Sequence, residues 1–290
     1  MRDSREMAAD RVDALLDRLR QASYIASREA VSALYLAETL GRPLLVEGPA
    51  GVGKTDLARA WATLSGRDLV RLQCYEGIDA SQAVYDWNYP KQLLSARLAA
   101  EGTDIGALYG PGFLVERPLL QAVSASPAPV LLVDEVDRGD EAMEALLLEF
   151  LGESQITIPE LGTVRAGEPL RVILTSNRVR ELSDALRRRC LYLWLDFPDA
   201  EREVEIIRVR APEVPGVLAR AVADATHALR RLDLIKPPGL SEAVDWARAL
   251  NALGFHELSR DAVEATASAV VKTAEDRAAV ERHLGSHGRL

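Results

Sequence analysis

The chain is predicted to fold as an α/β domain with a central parallel sheet, followed by a small all-helical domain. Three observations predict this. First, Gly48-Pro49-Ala50-Gly51-Val52-Gly53-Lys54-Thr55 lies between the apolar run Leu44-Leu45-Val46 and a helix-like stretch, Asp56 to Leu64. Strand, glycine-rich loop and helix in that order is the context of a phosphate-binding loop. Second, Val130-Leu131-Leu132-Val133 and the run from Leu170 to Thr175 are apolar without alternation, as strands covered on both faces of a parallel sheet must be. Third, no strand-like run remains after Phe197-Pro198, where helical patterns are punctuated by Pro212, Pro215, Pro237-Pro238 and Gly254. The expected division is an N-terminal helix over 1–23, the α/β domain over 24–197 and the helical domain over 198–290.

Composition agrees with a globular chain: 290 residues, 48% hydrophobic and 27% charged. Lys+Arg 35 against Asp+Glu 44 leaves a net charge of −9, which repels nucleic acid backbones and gives no general attraction to them. Cys74 and Cys190 stand apart, each beside an apolar run and without metal-ligand spacing, so both are expected as reduced, partly buried thiols. Residues 1–20 are charged throughout and carry no apolar core of signal-peptide length. No apolar run approaches the roughly 18 residues of a membrane span. A cytoplasmic protein without a membrane partner is the expectation.

Element by element, Val12, Leu15, Leu16 and Leu19 recur at helical spacing within Ala9–Leu19. A second helix is expected from a Ser27 N-cap to a Gly41 C-cap, with Pro43 blocking its continuation. After the glycine loop and its helix, Asp68 to Cys74 reads as a strand. Tyr75 to Ala100 is broken by Gly77, Asp79 and Trp87-Asn88-Tyr89-Pro90, then turns helical from Lys91. Of its aromatics, Tyr75, Tyr85, Trp87 and Tyr89, half are expected in the core and half on the surface. Tyr109 to Phe113 is a turn, and Glu116 to Ser124 and Asp140 to Leu151 are helices. Gln155–Ile158 and Thr163–Arg165 form a hairpin around Pro159-Glu160-Leu161-Gly162. Asp184 to Arg189 is a short helix and Leu191 to Leu195 the last strand.

The chemistry gathers at strand ends. Loop amides and a helix N-terminus suit an anion, so Gly48, Pro49, Ala50, Gly51, Val52, Gly53, Lys54, Thr55 and Asp56 are the candidate nucleotide contacts. Lys54 reaches the β- and γ-phosphates of ATP, and Thr55 places its hydroxyl on Mg²⁺. Asp134, at the end of a buried strand, is the acidic partner of Thr55 on that ion. Glu135 points elsewhere and can polarise the attacking water. Asn177, closing the next strand, can orient that water. Arg187-Arg188-Arg189 is an arginine cluster of a kind rarely built for stability. An arginine lent by a neighbouring subunit stabilises the transferring phosphoryl group, by roughly 10³–10⁵ in rate for known fingers.

These pieces, in this order, resemble the AAA+ ATPases. GPAGVGKT is similar to Walker A, VLLVDE to Walker B and Asn177 to sensor 1. The run SDALRRRC is similar to the finger-bearing segment, and the family's spacing makes Arg189 the finger and Arg188 its neighbour. The hairpin over 155–166, the stretch YGPGF from Tyr109 and DEVDRG from Asp134 resemble the MoxR branch, whose helix 2 insertion would be Tyr75 to Trp87. GRPLLVEGPAGVGKT, YEGIDASQAVYDWNYPKQLL, RRRCLYLWLDFP and KPPGLSEAVDWARAL resemble its CoxD subgroup, linked with maturation of molybdenum hydroxylases such as carbon monoxide dehydrogenase. The resemblance runs from about Tyr24 to Leu284. It implies an ATP-driven ring, usually of six subunits, a metalloenzyme client and a partner carrying a von Willebrand factor A domain. In one respect the chain departs from the pattern: Gly239-Leu240-Ser241-Glu242-Ala243 lacks the sensor-2 arginine, so sensor 2 is unassigned, the alternatives being Arg248 as a substitute or a lid that senses nucleotide weakly.

Other readings share the same ATPase parts: a DNA-directed motor or clamp-loader-like protein, a nucleotide-gated scaffold, and, least favoured, a small-molecule kinase. The acidic balance and the lack of a DNA-reading module after the helical domain oppose the first.

Overall fold

A computed structural model describes residues 2–98 and 105–287. The described chain divides into two units, one of residues 2–18, 27–48 and 54–194 and one of residues 19–26, 49–53 and 195–287.

In the first unit, helix α1 (Arg2–Gln21), which ends in the second unit, outruns the periodic stretch that predicts it. Helix α2 (Arg28–Leu40) keeps its expected ends: the Ser27 hydroxyl accepts from the Ala30 amide, and Gly41 takes the left-handed conformation that closes a helix. Strand β1 (Leu44–Glu47), wholly buried, leads to α3 (Lys54–Ser65) and then β2 (Leu69–Gln73).

The broken stretch after β2 resolves into a short helix α4 (Ala80–Ala83), β3 (Tyr85–Trp87) and α5 (Tyr89–Leu98). The expected helix from Lys91 to Ala100 therefore starts earlier; Ala99 and Ala100 lie outside the described residues. Trp87 is buried and Tyr85 half-buried, whereas Tyr75 and Tyr89 are exposed. A strand the sequence does not announce, β4 (Leu114–Glu116), pairs antiparallel with β3. This moves the following helix α6 (Pro118–Ser124) two residues beyond its expected start.

Strand β5 (Val130–Asp134) is buried along its whole length, and Asp140 caps α7 (Glu141–Glu153). The expected hairpin forms from β6 (Gln155–Ile158) and β7 (Gly162–Arg165), its second strand starting one residue earlier than expected and Gln155 lying opposite Arg165. Strand β8 (Arg171–Ser176), helix α8 (Asp184–Arg189) and β9 (Leu191–Trp194) complete the unit. The five-stranded parallel sheet runs β2-β5-β8-β1-β9. Its apolar core includes Leu45, Leu131, Leu147 and Leu174.

The second unit is helical: α9 (Ala200–Arg210), α10 (Gly216–Arg230), α11 (Leu240–Ala252), α12 (Arg260–Val270) and α13 (Ala274–His287). They close on an apolar core around Leu218, Val222, Trp246 and Leu250. Both cysteines are free and buried, and burial pushes Cys74 up to about 12 and Cys190 up to about 11. No helix among the described residues is long and apolar enough to cross a membrane.

Candidate active site

Parallel pairing decides which side chains meet. The register sets Gln73 of β2 beside Asp134 of β5, and Glu47 of β1 beside Ser176 of β8. The carboxyl ends of these strands thus share one edge, where open α/β sheets bind ligands.

Lys54 opens α3, and its Nζ donates to the Gly48 carbonyl at 2.7 Å. Only 7% of Lys54 is exposed. Burial pushes its ammonium down to about 8, against the opposing pull of Asp137, Asp134 and Glu135. An anion arriving beside this buried ammonium favours its charged form and offsets the cost of its burial. The loop ahead of it needs glycine on two counts at Gly51. Its φ is +80°, and a Cβ there would lie 2.8 Å from the Gly239 Cα, while its carbonyl accepts from the Leu240 amide at 2.8 Å. Val52 is buried. Asp56 pairs with Arg59 at 3.1 Å.

The Thr55 hydroxyl lies 3.2 Å from both Asp134 carboxylate oxygens. A hard divalent cation fits this pair of oxygen donors, with phosphate and water completing its shell. Asp134 is further held by Thr175, whose hydroxyl donates at 2.5 Å, and by Arg71, whose Nε and Nη2 donate to Oδ2 at 3.0 and 2.6 Å. A cation is thus already drawn to this carboxylate.

Glu135 departs from the strand. Its φ of 53° and ψ of 49° are left-handed, a costly backbone for a glutamate and one concentrated at functional sites. The turn swings its carboxylate among three donors: Gln73 Nε2 at 3.1 Å, Asn177 Nδ2 at 3.3 Å and Arg138 Nε at 3.0 Å. Asn177 is itself positioned, because Asp137 Oδ2 accepts from the Asn177 and Val179 amides at 3.1 and 2.8 Å. Asp137 is buried, and its other oxygen has no hydrogen-bond partner among the described residues.

The structure therefore brings together Lys54, Thr55, Asp134, Glu135 and Asn177. Sequence reasoning overlooked Arg71, Gln73, Arg138, Asp137 and Thr175 as site residues. One signal was available: Arg71 and Gln73 are two apart in an otherwise apolar strand, and so share one face of it.

The arginine cluster departs from the expectation that it has no structural use. Arg187 pairs with the buried Glu47 at 2.9 Å, and Tyr192 donates its hydroxyl to the same carboxylate at 3.1 Å. Arg189 Nη1 donates to the Leu148 carbonyl at 2.6 Å, in the C-terminal half of α7. Arg188 is exposed, and its guanidinium makes no hydrogen bond or ion pair among the described residues. Arg248, the candidate substitute for sensor 2, donates to Glu213 at 3.2 Å and to the Arg210 carbonyl, so it is engaged within the helical unit.

Comparison with known proteins agrees with this geometry. The family profile "AAA domain (dynein-related subfamily)" matches residues 43–190, just over half of the chain. The chain is similar to protein NorQ of Paracoccus denitrificans, 22% identical over 268 residues and spanning 90% of each. It is similar to the gas vesicle ATPase GvpN of Haloferax mediterranei, 29% identical over 67% of this chain and 58% of that one. A peroxisomal Lon protease homolog 2 of Pichia angusta is 35% identical over 64% of this chain but only 19% of its own length. The chain thus spans well under two thirds of the Lon and GvpN relatives. Among solved structures, a RuvB point mutant of Thermotoga maritima shares the fold, with a TM-score of 0.52 at 20% identity, covering 83% of this chain and 68% of that one. With its phosphate-binding loop, its paired strand-end acids and the profile match in agreement, the chain belongs to the AAA domain family, dynein-related subfamily, whose fold implies nucleotide binding and ATPase activity.

Proposed function

We propose that the chain is a MoxR-type AAA+ ATPase that uses Mg²⁺-dependent ATP hydrolysis to remodel a client protein. The observation that carries this is Glu135, turned out of β5 and held by Gln73, Asn177 and Arg138 one residue beyond the Asp134–Thr55 pair. A carboxylate so placed suits water as the nucleophile, as its general base. Gly48 to Asp56 hold the nucleotide, with Lys54 on its β- and γ-phosphates. Asn177 orients the water, and Thr55 and Asp134 hold Mg²⁺, which neutralises phosphate charge when bound. Arg189, leaving the Leu148 carbonyl, is lent to a neighbouring copy in a ring of six. Arg188 is the alternative donor, already exposed.

The similarity to NorQ along 90% of both chains and the β6–β7 hairpin support the MoxR reading. The narrower assignment rests on the CoxD-like segments. It comprises maturation of a metalloenzyme such as a molybdenum hydroxylase, with a von Willebrand factor A domain partner, in the cytoplasm.

The test is phosphate release by the Glu135→Gln variant, with ATP binding and particle mass measured in parallel. Retained binding and assembly with turnover lowered roughly 10²–10⁴-fold are expected for loss of a general base. Undiminished turnover removes Glu135 from its role. Arg188→Ala and Arg189→Ala separate the two finger candidates, and turnover unaffected by either removes the shared-site reading.

A further inference from the structure

We propose that Arg71 is a cationic gate on the metal site: its guanidinium holds the Asp134 carboxylate and must yield for a divalent ion to bind there. The inference rests on the reading of Asp134 as a metal-holding residue. Both Nε and Nη2 of Arg71 donate to one oxygen, Oδ2, at 3.0 and 2.6 Å. The other oxygen takes the Thr175 hydroxyl at 2.5 Å, and Thr55 lies 3.2 Å from each. The Asp134 side chain is 4% exposed and that of Arg71 47%, so water is kept from the carboxylate but not from the guanidinium.

Two cations at contact distance on Oδ2 repel each other. Entry of the ion therefore requires Arg71 to leave, and the price of that departure weakens apparent metal affinity. Arg71 is able to leave. Its side chain is 47% exposed, and Nη2 already donates to Gln73 Oε1, a second acceptor on the same strand. Gln73 in turn donates to Glu135. The guanidinium that guards the metal carboxylate is thus one hydrogen bond removed from the residue that holds the general base. Arg71 acts here as a positioning residue: it sets the metal concentration at which the site becomes competent and touches no phosphate.

The test is binding of a fluorescent ADP to the full chain, titrated with Mg²⁺ and repeated in EDTA, for wild type, Arg71→Met, Arg71→Gln and Arg71→Lys. The proposal expects the Met and Gln variants to reach half-saturation at about a tenth of the wild-type Mg²⁺ concentration, the lower end of what a hydrogen bond to a charged group contributes. Their metal-free ADP affinity should be unchanged, and Lys should fall between them and wild type. A purely structural role would not separate the two titrations. Unchanged or raised Mg²⁺ requirement in both neutral variants overturns the gate. So does a loss of metal-free affinity, which would make Arg71 a phosphate ligand. Asp134→Asn serves as the separate control: if its Mg²⁺ dependence matches wild type, the assignment of Asp134 to the metal has failed, independently of Arg71.

Discussion

Both units bury charge, but they hold it differently. In the helical unit Glu203 is 0% exposed and takes both arms of Arg230, at 2.7 and 2.8 Å, while that guanidinium also covers the Phe197 ring at 4.1 Å. The Arg230 side chain is itself only 8% exposed. Asp276 is closed by the Ile235 and Lys236 amides, and Thr266 accepts from Trp246 while donating to Ala262. These groups are paired within the unit, Arg230 also donating to the Pro238 carbonyl, although the buried His227 Nε2 beside Glu203 has no hydrogen-bond partner among the described residues. In the sheet unit, Asp134 is held by a half-exposed arginine, burial lowers the Lys54 ammonium to about 8, and Asp137 keeps an oxygen with no hydrogen-bond partner among the described residues. Burial of polar atoms does not by itself mark a site. Replaceable or incomplete partnering does, because only such groups gain when a ligand arrives.

The sharpest way to break this comparison is Lys54→Met. If Lys54 is kept for the phosphates, turnover should fall roughly 10²–10³-fold, the scale of losing one aimed donor. Stability should hold or rise. Because burial lowers the Lys54 value from 10.5 to about 8, the unfolded chain binds more protons between those values. Its burial therefore opposes folding in full below pH 8, and the penalty fades as pH rises toward 10.5. Thermal melting beside an ATPase assay checks both halves; a large loss of stability would place Lys54 with Arg230.

Glu203→Ala should show the reverse behaviour. It leaves Arg230 buried without its carboxylate, a change that costs about 3–5 kcal/mol. Denaturant unfolding followed by tryptophan fluorescence reads it, and a cost within error would mean the pair is as replaceable as Arg71–Asp134. Trp246→Phe should cost less, about 0.5–1.5 kcal/mol for one hydrogen bond, since Thr266 keeps its bond to Ala262. Its expected signature is a lower melting temperature with unaltered nucleotide affinity.

The smallest effect is expected at Glu168, which accepts from Arg67 at 2.7 and 3.0 Å and from the Ala128 amide at 2.7 Å. The Arg67 hydrogen bond, then the Ala128 amide, hold its carboxyl down at about 2 from an ordinary 4.5. Its contribution is therefore present above pH 4.5 and lost as pH falls toward 2. Melting temperatures of wild type and Glu168→Gln should converge on acidification through that window. Parallel curves would show the pair to be inert, as many half-exposed ion pairs are.

Much of the fold was legible from the chain alone. The glycine loop, the unalternating strands, the Ser27 and Gly41 caps and the hairpin after α7 follow from residues within a few positions of one another. The β3–β4 pair was not. Two three-residue strands separated by 26 residues carry too little periodicity to be recognised, and only their pairing makes them strands. The site divides along the same line. Lys54, Thr55, Asp134 and Glu135 sit in local motifs, whereas Arg71, Gln73, Thr175 and Asn177, which hold Asp134 and Glu135, come from other strands or their ends. An arginine triplet reads as one cluster in the sequence, while α8 turns its members toward Glu47, the Leu148 carbonyl and solvent.

By itself the sequence determined an α/β nucleotide-binding chain with a helical end, because strand, loop and helix signals depend on neighbours along the backbone. Tertiary structure alone decided which cation stands on two of the acids: Arg71 on Asp134 and Arg187 on Glu47. Strand register and the turns at strand ends set those pairings. Such contacts link positions up to 140 residues apart, as Glu47 and Arg187 are, so they exist only once the sheet has closed.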